Sequence, residues 1–222
     1  LRVIEDAAEV HGGEYKGKKC GSFGDISTFS FYANKLITTG EGGMVLTNND
    51  KYAKRARSLR NLCFEPNRRF KHSEIGFNYR MTNMQAAIGV AQIKRINEIV
   101  KRKVDIAQYY TNRINHLKCV QLPIEKEWAK NVYWIYGIVL NKMTNETPET
   151  LAMKLKEVGV ETRPFFLGIH EQPVYLNKGY FKKEDYPVTT QLAKNGLYIP
   201  SGLNLTNKDQ DKVISELLNI LE

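Results

Sequence analysis

The stretch Phe29-Ser-Phe-Tyr-Ala-Asn-Lys35-Leu-Ile-Thr-Thr-Gly-Glu-Gly-Gly43 decides how this chain of 222 residues is interpreted. It begins with the β-branched and aromatic residues typical of a strand and ends in a glycine-rich turn. Lys35 is therefore expected just past the end of a strand, where Phe29, Phe31 and Tyr32 exclude water from its amine. Loss of water favours the neutral amine, which can attack an aldehyde and form a Schiff base. The alternative is a surface lysine, which describes most of the 33 basic residues.

A carboxylate follows an earlier apolar segment, in Val3-Ile-Glu-Asp6-Ala-Ala-Glu9-Val-His-Gly12. Asp6 is expected at the carboxyl end of a parallel strand, which is where open α/β sheets bind ligands. Beside a pyridine nitrogen, its carboxylate would keep that nitrogen protonated and the ring an electron sink. The structural alternative is an N-cap for a following helix.

The hydroxyl of Ser30 and the polar pair Asn78 and Arg80 are further candidates for ligand-binding groups. The hydroxyl of Ser30 could donate to a phosphate oxygen, because strand alternation puts it on the face opposite Phe29 and Phe31. Its alternative role is a buried strand serine bonded to the backbone. Asn78 and Arg80, in Gly76-Phe-Asn-Tyr-Arg-Met81, are polar groups in an aromatic setting, and their alternative role is a structural turn near an N-cap.

Composition excludes several classes of protein. Apolar residues make up 42% and charged residues 26%, which is typical of a globular chain, and no apolar run reaches the roughly 18 residues of a membrane span. The three cysteines, Cys20, Cys63 and Cys119, are odd in number and widely spaced, which argues against a disulfide framework or a metal site and favours a reducing cytoplasm. The net charge of +9 is spread along the chain. We interpret it as a solvated basic face or as attraction to phosphorylated small substrates, rather than as nucleic-acid binding.

The pattern along the chain predicts an α/β protein in three parts. Residues 1–82 should form part of a larger α/β domain, 83–117 a long linking helix with a kink, and 118–222 a smaller α/β domain. The segments expected as strands are 1–5, 26–31, 42–47, 133–140 and 160–163. Residues 12–24 should form a hairpin or loop, and 65–77 should be irregular. Other helices are expected from 50 to about 61, from Pro148, from 190 to 195 and from the capping box at Thr206.

Four of these motifs, in this order and spacing, resemble the DegT/DnrJ/EryC1/StrS family of sugar aminotransferases. They are Glu5-Asp6-Ala-Ala, the Ser30 and Lys35 pair, Thr39-Gly-Glu-Gly-Gly-Met44 and Gly76–Met81. The resemblance covers essentially the whole chain and implies an aspartate aminotransferase-like fold (fold type I) with pyridoxal 5'-phosphate (PLP) as cofactor. Glu9 and Pro66-Asn-Arg-Arg-Phe70 resemble the perosamine synthase branch. That branch implies transfer of an amino group from glutamate to C4 of a nucleotide-linked 4-keto-6-deoxyhexose, for polysaccharides such as O-antigen.

The resemblance also implies roles for individual residues. Lys35 would hold PLP through a Schiff base and move a proton between the cofactor's C4′ and the substrate carbon. Asp6 would bond the pyridinium nitrogen, and Ser30 would contact the phosphate. Glu9 stands where many members have glutamine near the ring hydroxyl, which leaves its protonation state open.

Three more roles concern the substrate and the assembly. Asn78 would reach the phosphate of a neighbouring subunit's cofactor, so the active unit would be a homodimer with shared sites. Arg80 would support the same loop beside the substrate. His170, in Phe165-Phe-Leu-Gly-Ile-His-Glu-Gln-Pro173, matches a family segment near the sugar.

Two features of the family pattern leave alternatives open. The family's small-residue phosphate loop and ring-stacking aromatic lie upstream of the Asp6 motif, so the chain is expected to lack the N-terminal part of the large domain. An inactive or regulatory protein of the same fold is therefore one alternative. A sugar dehydratase of the same family is another, but such members typically have histidine where Lys35 stands.

Overall fold

The computed structural model describes residues 1–181 and 186–222, which contain both strands and helices, with five strands before the first helix. The strands are β1 Ile4–Asp6, β2 Glu14–Tyr15, β3 Lys18–Lys19, β4 Ile26–Ser30, β5 Gly43–Leu46, β6 Phe64–Glu65, β7 Arg68–His72, β8 Val120–Gln121, β9 Ala129–Lys130, β10 Tyr136–Leu140, β11 Arg163–Pro164 and β12 Gly196–Ile199. The helices are α1 Asp50–Arg60, α2 Asn83–Ile93, α3 Ile96–Ile114, α4 Pro148–Glu157, α5 Pro173–Asn177, α6 Pro187–Asn195 and α7 Asn207–Leu221, with a short 3-10 turn at Ile169–Glu171. None of the described helices is both long and apolar enough to cross a bilayer.

The chain divides into two compact units. Unit 1 comprises Leu1–Lys101 and Glu125–Trp134, and unit 2 comprises Arg102–Ile124 and Ile135–Glu222. The division into 1–82, 83–117 and 118–222 stays a prediction, and 182–185 lie outside the described residues.

The sheet that carries the candidate site in unit 1 has the order β1-β4-β5. β1 runs parallel to β4, with Asp6 opposite Thr28. β5 returns antiparallel to β4, with Gly43 opposite Ser30. Because the carboxyl ends of parallel strands meet at one edge of a sheet, Asp6, Ser30 and the loop after β4 share that edge.

The predicted hairpin over 12–24 is confirmed as β2 and β3, joined through Gly17 at a positive φ of 75°. A side chain is strained in this left-handed region, so glycine suits the turn. β2 pairs on its other side with β9, where Glu14 lies opposite Lys130. This pairing explains why residues 125–134 belong to unit 1.

The helix predicted from residue 50 to about 61 is confirmed as α1, but the segment that follows it was predicted wrongly. The side chain of Asn49 caps α1 by accepting from the N–H groups of Lys51 and Tyr52. The stretch 65–77, expected to be irregular, instead contains most of the β6–β7 hairpin. All five residues of β7 are exposed, so the strand has no apolar alternation for the sequence to reveal.

The helical span predicted over 82–117 is divided into α2 and α3. α2 begins at a capping box in which Thr82 and Gln85 satisfy each other's backbone N–H groups. The helices are separated at Lys94 and Arg95, where the Arg95 N–H donates to the carbonyl of Gln92, three residues back, at 2.9 Å. This shorter hydrogen bond tightens the turn and ends α2 without a proline or glycine.

Unit 2 is built on an antiparallel sheet of order β11-β12-β10-β8. Its strand β10 falls within the predicted 133–140, whereas the strand predicted at 160–163 is observed later, at Arg163–Pro164. The predicted helix starts at Pro148 and Thr206 are confirmed by capping boxes at Thr147 and Thr206. Large side chains that are at most 1% exposed form the core: Tyr110, Tyr136, Ile138, Leu151, Leu155, Leu197 and Leu217.

Candidate active site

Lys35 lies in the loop that joins β4 to β5, and polar side chains of α2 hold that loop. Gln92 accepts a hydrogen bond from the Thr38 N–H at 3.0 Å and donates one to the Thr38 carbonyl at 2.7 Å. Gln85 donates to the carbonyl of Glu41 at 3.2 Å. Because a glutamine at each end of α2 binds backbone groups of the loop, the loop after Lys35 has a fixed path.

The amine of Lys35 is held between a carboxylate and an aromatic ring. Its Nζ donates to Oε1 of Glu9 at 2.9 Å and lies 3.9 Å from the centroid of the Trp134 ring. The Lys35 side chain is 10% exposed, and that of Glu9 is 49% exposed. A lysine buried to this extent is paired in nearly every protein, so the geometry singles Lys35 out from the surface lysines.

The shield around Lys35 differs in part from the one expected. Trp134, which the sequence reasoning did not single out, covers the amine, and its indole N–H donates to the carbonyl of Asn34 at 2.7 Å. Tyr32 is 47% exposed. Phe29 and Phe31 instead flank His11, with ring centroids 5.3 and 5.9 Å from its ring.

His11 is a second residue that the sequence reasoning left without a role. It is 4% exposed, and burial, assisted by the charge of Lys35, lowers the pKa of its imidazole. The Ser30 carbonyl lies near the ring, but neither ring nitrogen has a well-formed hydrogen bond within the described residues. His11 is therefore a buried polar ring against Phe29 and Phe31, and its lowered pKa favours the neutral form. The sequence signal that could have identified His11 is its position five residues after Asp6, in the same motif.

Asp6 lies exposed at the end of β1, and its Oδ1 accepts from the N–H of Ala8 at 3.0 Å. A turn, not a helix, follows β1, so the helix N-cap that we considered for Asp6 is not observed. This short-range bond is typical of an Asx turn. It leaves carboxylate lone pairs available for a donor at the sheet edge.

Ser30 ends β4 at the same edge. Its Oγ accepts a long hydrogen bond, 3.3 Å, from the N–H of Tyr32. The hydroxyl hydrogen of Ser30 is not used in that bond, so it can donate to another oxygen.

Asn78 and Arg80 form a separate cluster in unit 1. Arg80 donates through Nε to Oδ1 of Asn78 at 2.9 Å and through one terminal nitrogen to Oδ1 of Asn61 at 3.0 Å. Phe77 and Tyr79 stack on each other, with centroids 5.1 Å apart and planes within 4°. Arg80 thus occupies the Asn78 amide oxygen, and the Asn78 side chain belongs to an exposed residue whose N–H donors are not used in that bond. Within residues 1–181 and 186–222, the structure shows no hydrogen bond from either side chain to Lys35 or Asp6.

His170 belongs to unit 2, in the short 3-10 turn. Its Nε2 lies 3.3 Å from Oγ1 of Thr190, and its ring centroid lies 4.6 Å from that of Tyr186. Glu171 lies 3.9 Å from the same nitrogen. The His170 side chain is 12% exposed, so it is largely buried.

The sheet-edge residues of unit 1 fit pyridoxal phosphate as a donor set. The cofactor needs an amine for its aldehyde, a carboxylate for its ring nitrogen and hydroxyl or N–H donors for its phosphate. Lys35, Asp6 and Ser30 are of these three types and share one edge. A cavity of about 540 Å³ in the same unit is lined by Glu14, Gly17 and residues 125–130, and it includes none of these three.

Comparison with known proteins places the chain in one family. The model of the DegT/DnrJ/EryC1/StrS aminotransferase family matches residues 1–218. A GDP-perosamine synthase of Caulobacter vibrioides is 40% identical over all 222 residues, which cover 59% of that protein. A protein of Bacillus subtilis strain 168 with the provisional name pyridoxal phosphate-dependent aminotransferase EpsN is 37% identical, over 98% of this chain and 56% of that one.

A solved structure shares the fold. The aminotransferase TlmJ from Streptoalloteichus hindustanus superposes with a TM-score of 0.86 at 26% identity, over 98% of this chain and 57% of that one. The predicted family resemblance and the predicted aminotransferase fold are both confirmed. The chain spans a little under three fifths of the length of the curated relatives it matches.

Proposed function

Because the chain belongs to the DegT/DnrJ/EryC1/StrS aminotransferase family, we propose that it binds pyridoxal phosphate and serves in the amination of a sugar. The observation that carries the proposal is the amine of Lys35. It is largely buried, held by a carboxylate and an aromatic ring, and placed at the sheet edge that also bears Asp6. The provisional name of the Bacillus subtilis relative supports the cofactor.

The finer part of the proposal concerns the substrates. We propose glutamate as the amino donor and C4 of a nucleotide-linked 4-keto-6-deoxyhexose as the acceptor carbon. The support is the 40% identity with a protein named GDP-perosamine synthase, together with the motifs at Glu9 and 66–70. Lysine at position 35 favours amino transfer over the dehydratase alternative.

The roles of the residues follow from their chemistry. When bound, pyridoxal phosphate supplies an aldehyde carbon and a ring that withdraws electrons from the reacting carbon. The amine of Lys35 would hold that aldehyde and would move a proton between the cofactor's C4′ and the substrate carbon. Asp6 holds a proton on the ring nitrogen, and Ser30 donates to the phosphate. Glu9, already within hydrogen-bond reach of Lys35, would lie near the ring hydroxyl.

The remaining roles involve the assembly and the sugar. We propose a homodimer in which Asn78, oriented by Arg80, donates to the phosphate bound by the neighbouring subunit. Arg80 itself also lies on the substrate side of that loop. His170 of unit 2 contributes to binding of the sugar. The cysteine usage supports a cytoplasmic location.

Reductive trapping tests the central assignment. The chain is incubated with pyridoxal phosphate, reduced with borohydride and mapped by peptide mass spectrometry. We expect the label on Lys35, its loss in Lys35→Gln and its retention in Lys18→Gln, a matched change at an exposed lysine of unit 1. Predominant label on another lysine would contradict the assignment.

A second assay tests the reaction. Glutamate and a nucleotide-linked 4-keto-6-deoxyhexose are supplied, and the amino sugar is measured by mass spectrometry. Trapping at Lys35 without amino transfer, measured in a protein that carries this chain within the complete family fold, would support the alternative of an inactive or regulatory protein of the same fold.

A further inference from the structure

We propose that Trp134 is a positioning residue for Lys35: its ring and its indole N–H together fix where the lysine amine meets the cofactor. This inference rests on the proposed function, because it concerns the same amine. Trp134 comes from the returning segment 125–134 of unit 1, about a hundred residues after the loop that it organises.

The ring and the indole nitrogen act on adjacent residues. The ring lies 3.9 Å from Lys35 Nζ, well inside the roughly 6 Å range of a cation–π interaction. The indole N–H donates to the carbonyl of Asn34 at 2.7 Å. One side chain therefore binds both the tip of the lysine and the backbone immediately before it. The second partner of the amine, Glu9, is 49% exposed and is less restrained by packing.

The backbone before Trp134 is held in an uncommon conformation. Tyr133 has a φ of +46°, in the left-handed region that non-glycine residues seldom adopt. The side chain of Asn131 stabilises it by accepting from the Tyr133 N–H at 2.8 Å. Glu125 accepts from the Asn131 N–H at 2.7 Å, and the hydroxyl of Tyr133 donates to the same carboxylate at 3.4 Å. Strain that surrounding groups maintain in this way is typical of functional positions.

The chain contains a matched control. Its only other tryptophan, Trp128, lies in the same returning segment and is 51% exposed. Trp128 packs edge-on against Tyr15, with centroids 5.4 Å apart. Trp128→Leu therefore removes an indole from the same segment without removing the ring over Lys35.

Nuclear magnetic resonance tests the geometry without the cofactor. Lysines are dimethylated with ¹³C-formaldehyde, and the Lys35 signal is identified by its loss in Lys35→Arg. We expect this signal upfield of the other lysine signals because it lies over the indole ring. It should join the other signals in Trp134→Leu, remain shifted in Trp134→Phe and be unchanged in Trp128→Leu. A Lys35 signal that stays in place in Trp134→Leu would overturn the inference.

The rate of trapping then tests the role. We expect pyridoxal phosphate and borohydride to label Lys35 several-fold more slowly in Trp134→Leu than in the unaltered chain, because the amine is no longer held in one orientation. Trp134→Phe, which keeps a ring but loses the N–H, should recover part of the rate, and Trp128→Leu should match the unaltered chain. Labelling of other lysines should not change. Equal Lys35 rates in Trp134→Leu and the unaltered chain would overturn the inference while leaving the proposed function intact.

Two outcomes remain distinct from these. If the unaltered chain is labelled predominantly elsewhere than at Lys35, the proposed function fails, and the cofactor role of Trp134 fails with it. If Trp134→Leu does not fold, as judged by circular dichroism, Trp134→Phe alone decides. A trapping rate in Trp134→Phe equal to that of the unaltered chain would then overturn the inference, because the proposal assigns part of the positioning to the indole N–H.

Discussion

The two units of this chain place their apolar residues differently. In unit 2, four of the five residues of β10 are buried, and the one exception is partly so. In unit 1, all four residues of β5 are exposed, and neither α1 nor α2 contains a buried residue. The central strand of unit 2 is therefore packed into a core, whereas in unit 1 buried apolar residues such as Leu36 and Ile37 lie in loops rather than on β5, α1 or α2.

Most of the predicted site residues lie in a different unit from the most deeply buried strand. Six of the seven predicted site residues, all except His170, lie in unit 1. That unit also exposes apolar side chains on its sheet, namely Ile4, Met44, Val45 and Leu46, each at least 42% exposed. Exposed apolar surface of this kind is typical of an interaction face. We therefore expect unit 1 to be the more sensitive to polar substitutions and unit 2 to truncation of apolar side chains.

The largest expected effect is in the core of unit 2. Leu155 of α4 is fully buried, so Leu155→Ala should reduce the free energy of unfolding by about 2–5 kcal/mol. Met153 lies on the same helix and is 60% exposed, so Met153→Ala should cost far less. Urea denaturation with hydrogen exchange by region measures both. Equal losses would show that unit 2 has no dominant core.

The next effect is a pH dependence in unit 2. Lys103 is 4% exposed, and burial lowers the pKa of its amine to about 8 from 10.5. Between these values the unfolded chain holds a proton that the folded chain has released, so stability should rise with pH, by on the order of 2–3 kcal/mol. Lys103→Met should abolish the rise.

The free energy of unfolding is compared between the unaltered chain and Lys103→Met at each pH, because other lysines and tyrosines also titrate in this range. The folded amine donates to the carbonyl and hydroxyl of Ser201, and these bonds are lost in the methionine variant. A pH slope that is the same in both chains would contradict the prediction.

A smaller effect is expected from removing a helix N-cap, and each unit contains a capping box in which to measure it. Thr82 starts α2 in unit 1 and Thr206 starts α7 in unit 2, each through a capping box. Each change to alanine should cost about 1 kcal/mol, because a helix N–H loses its acceptor. Hydrogen exchange should show the loss in unit 1 for Thr82→Ala and in unit 2 for Thr206→Ala. Serine at either position should retain most of the stability, and a loss in the opposite unit would contradict the assignment.

The smallest expected effect is acid sensitivity in unit 1. Burial acts to raise the pKa of Glu5, but hydrogen bonds from the N–H groups of Gly21, Phe23 and Gly24 outweigh it and lower that pKa. The stabilisation is therefore present above the carboxyl's ordinary pKa and is lost as pH falls through the folded value. Glu5→Gln should reduce the loss of stability that unit 1 shows as pH falls. Glu127→Gln, at an exposed site, should leave that loss unchanged.

Local sequence patterns predicted the strands that contain apolar and β-branched residues and the helices that begin at a capping residue or a proline. The strands around Lys35, the helix capped by Asn49 and the helices starting at Pro148 and Thr206 each have a signal within a few residues. The β6–β7 hairpin was missed because its exposed residues lack periodicity. The shield over Lys35 was misassigned because it comes from Trp134, and no local pattern encodes a contact between residues 100 apart in sequence.

The pairing of β2 with β9 has a consequence for how the chain is made. Glu14 meets Lys130 only after the whole of α3 has been synthesised between them. Unit 1 is thus discontinuous in sequence, and β2 lacks its partner β9 until the segment 125–134 has been synthesised. Closing so long a loop is slow relative to local folding. During synthesis the lysine loop exists first without its tryptophan, so Glu9 is the one partner of the amine named above that is present before the last segment of unit 1 arrives.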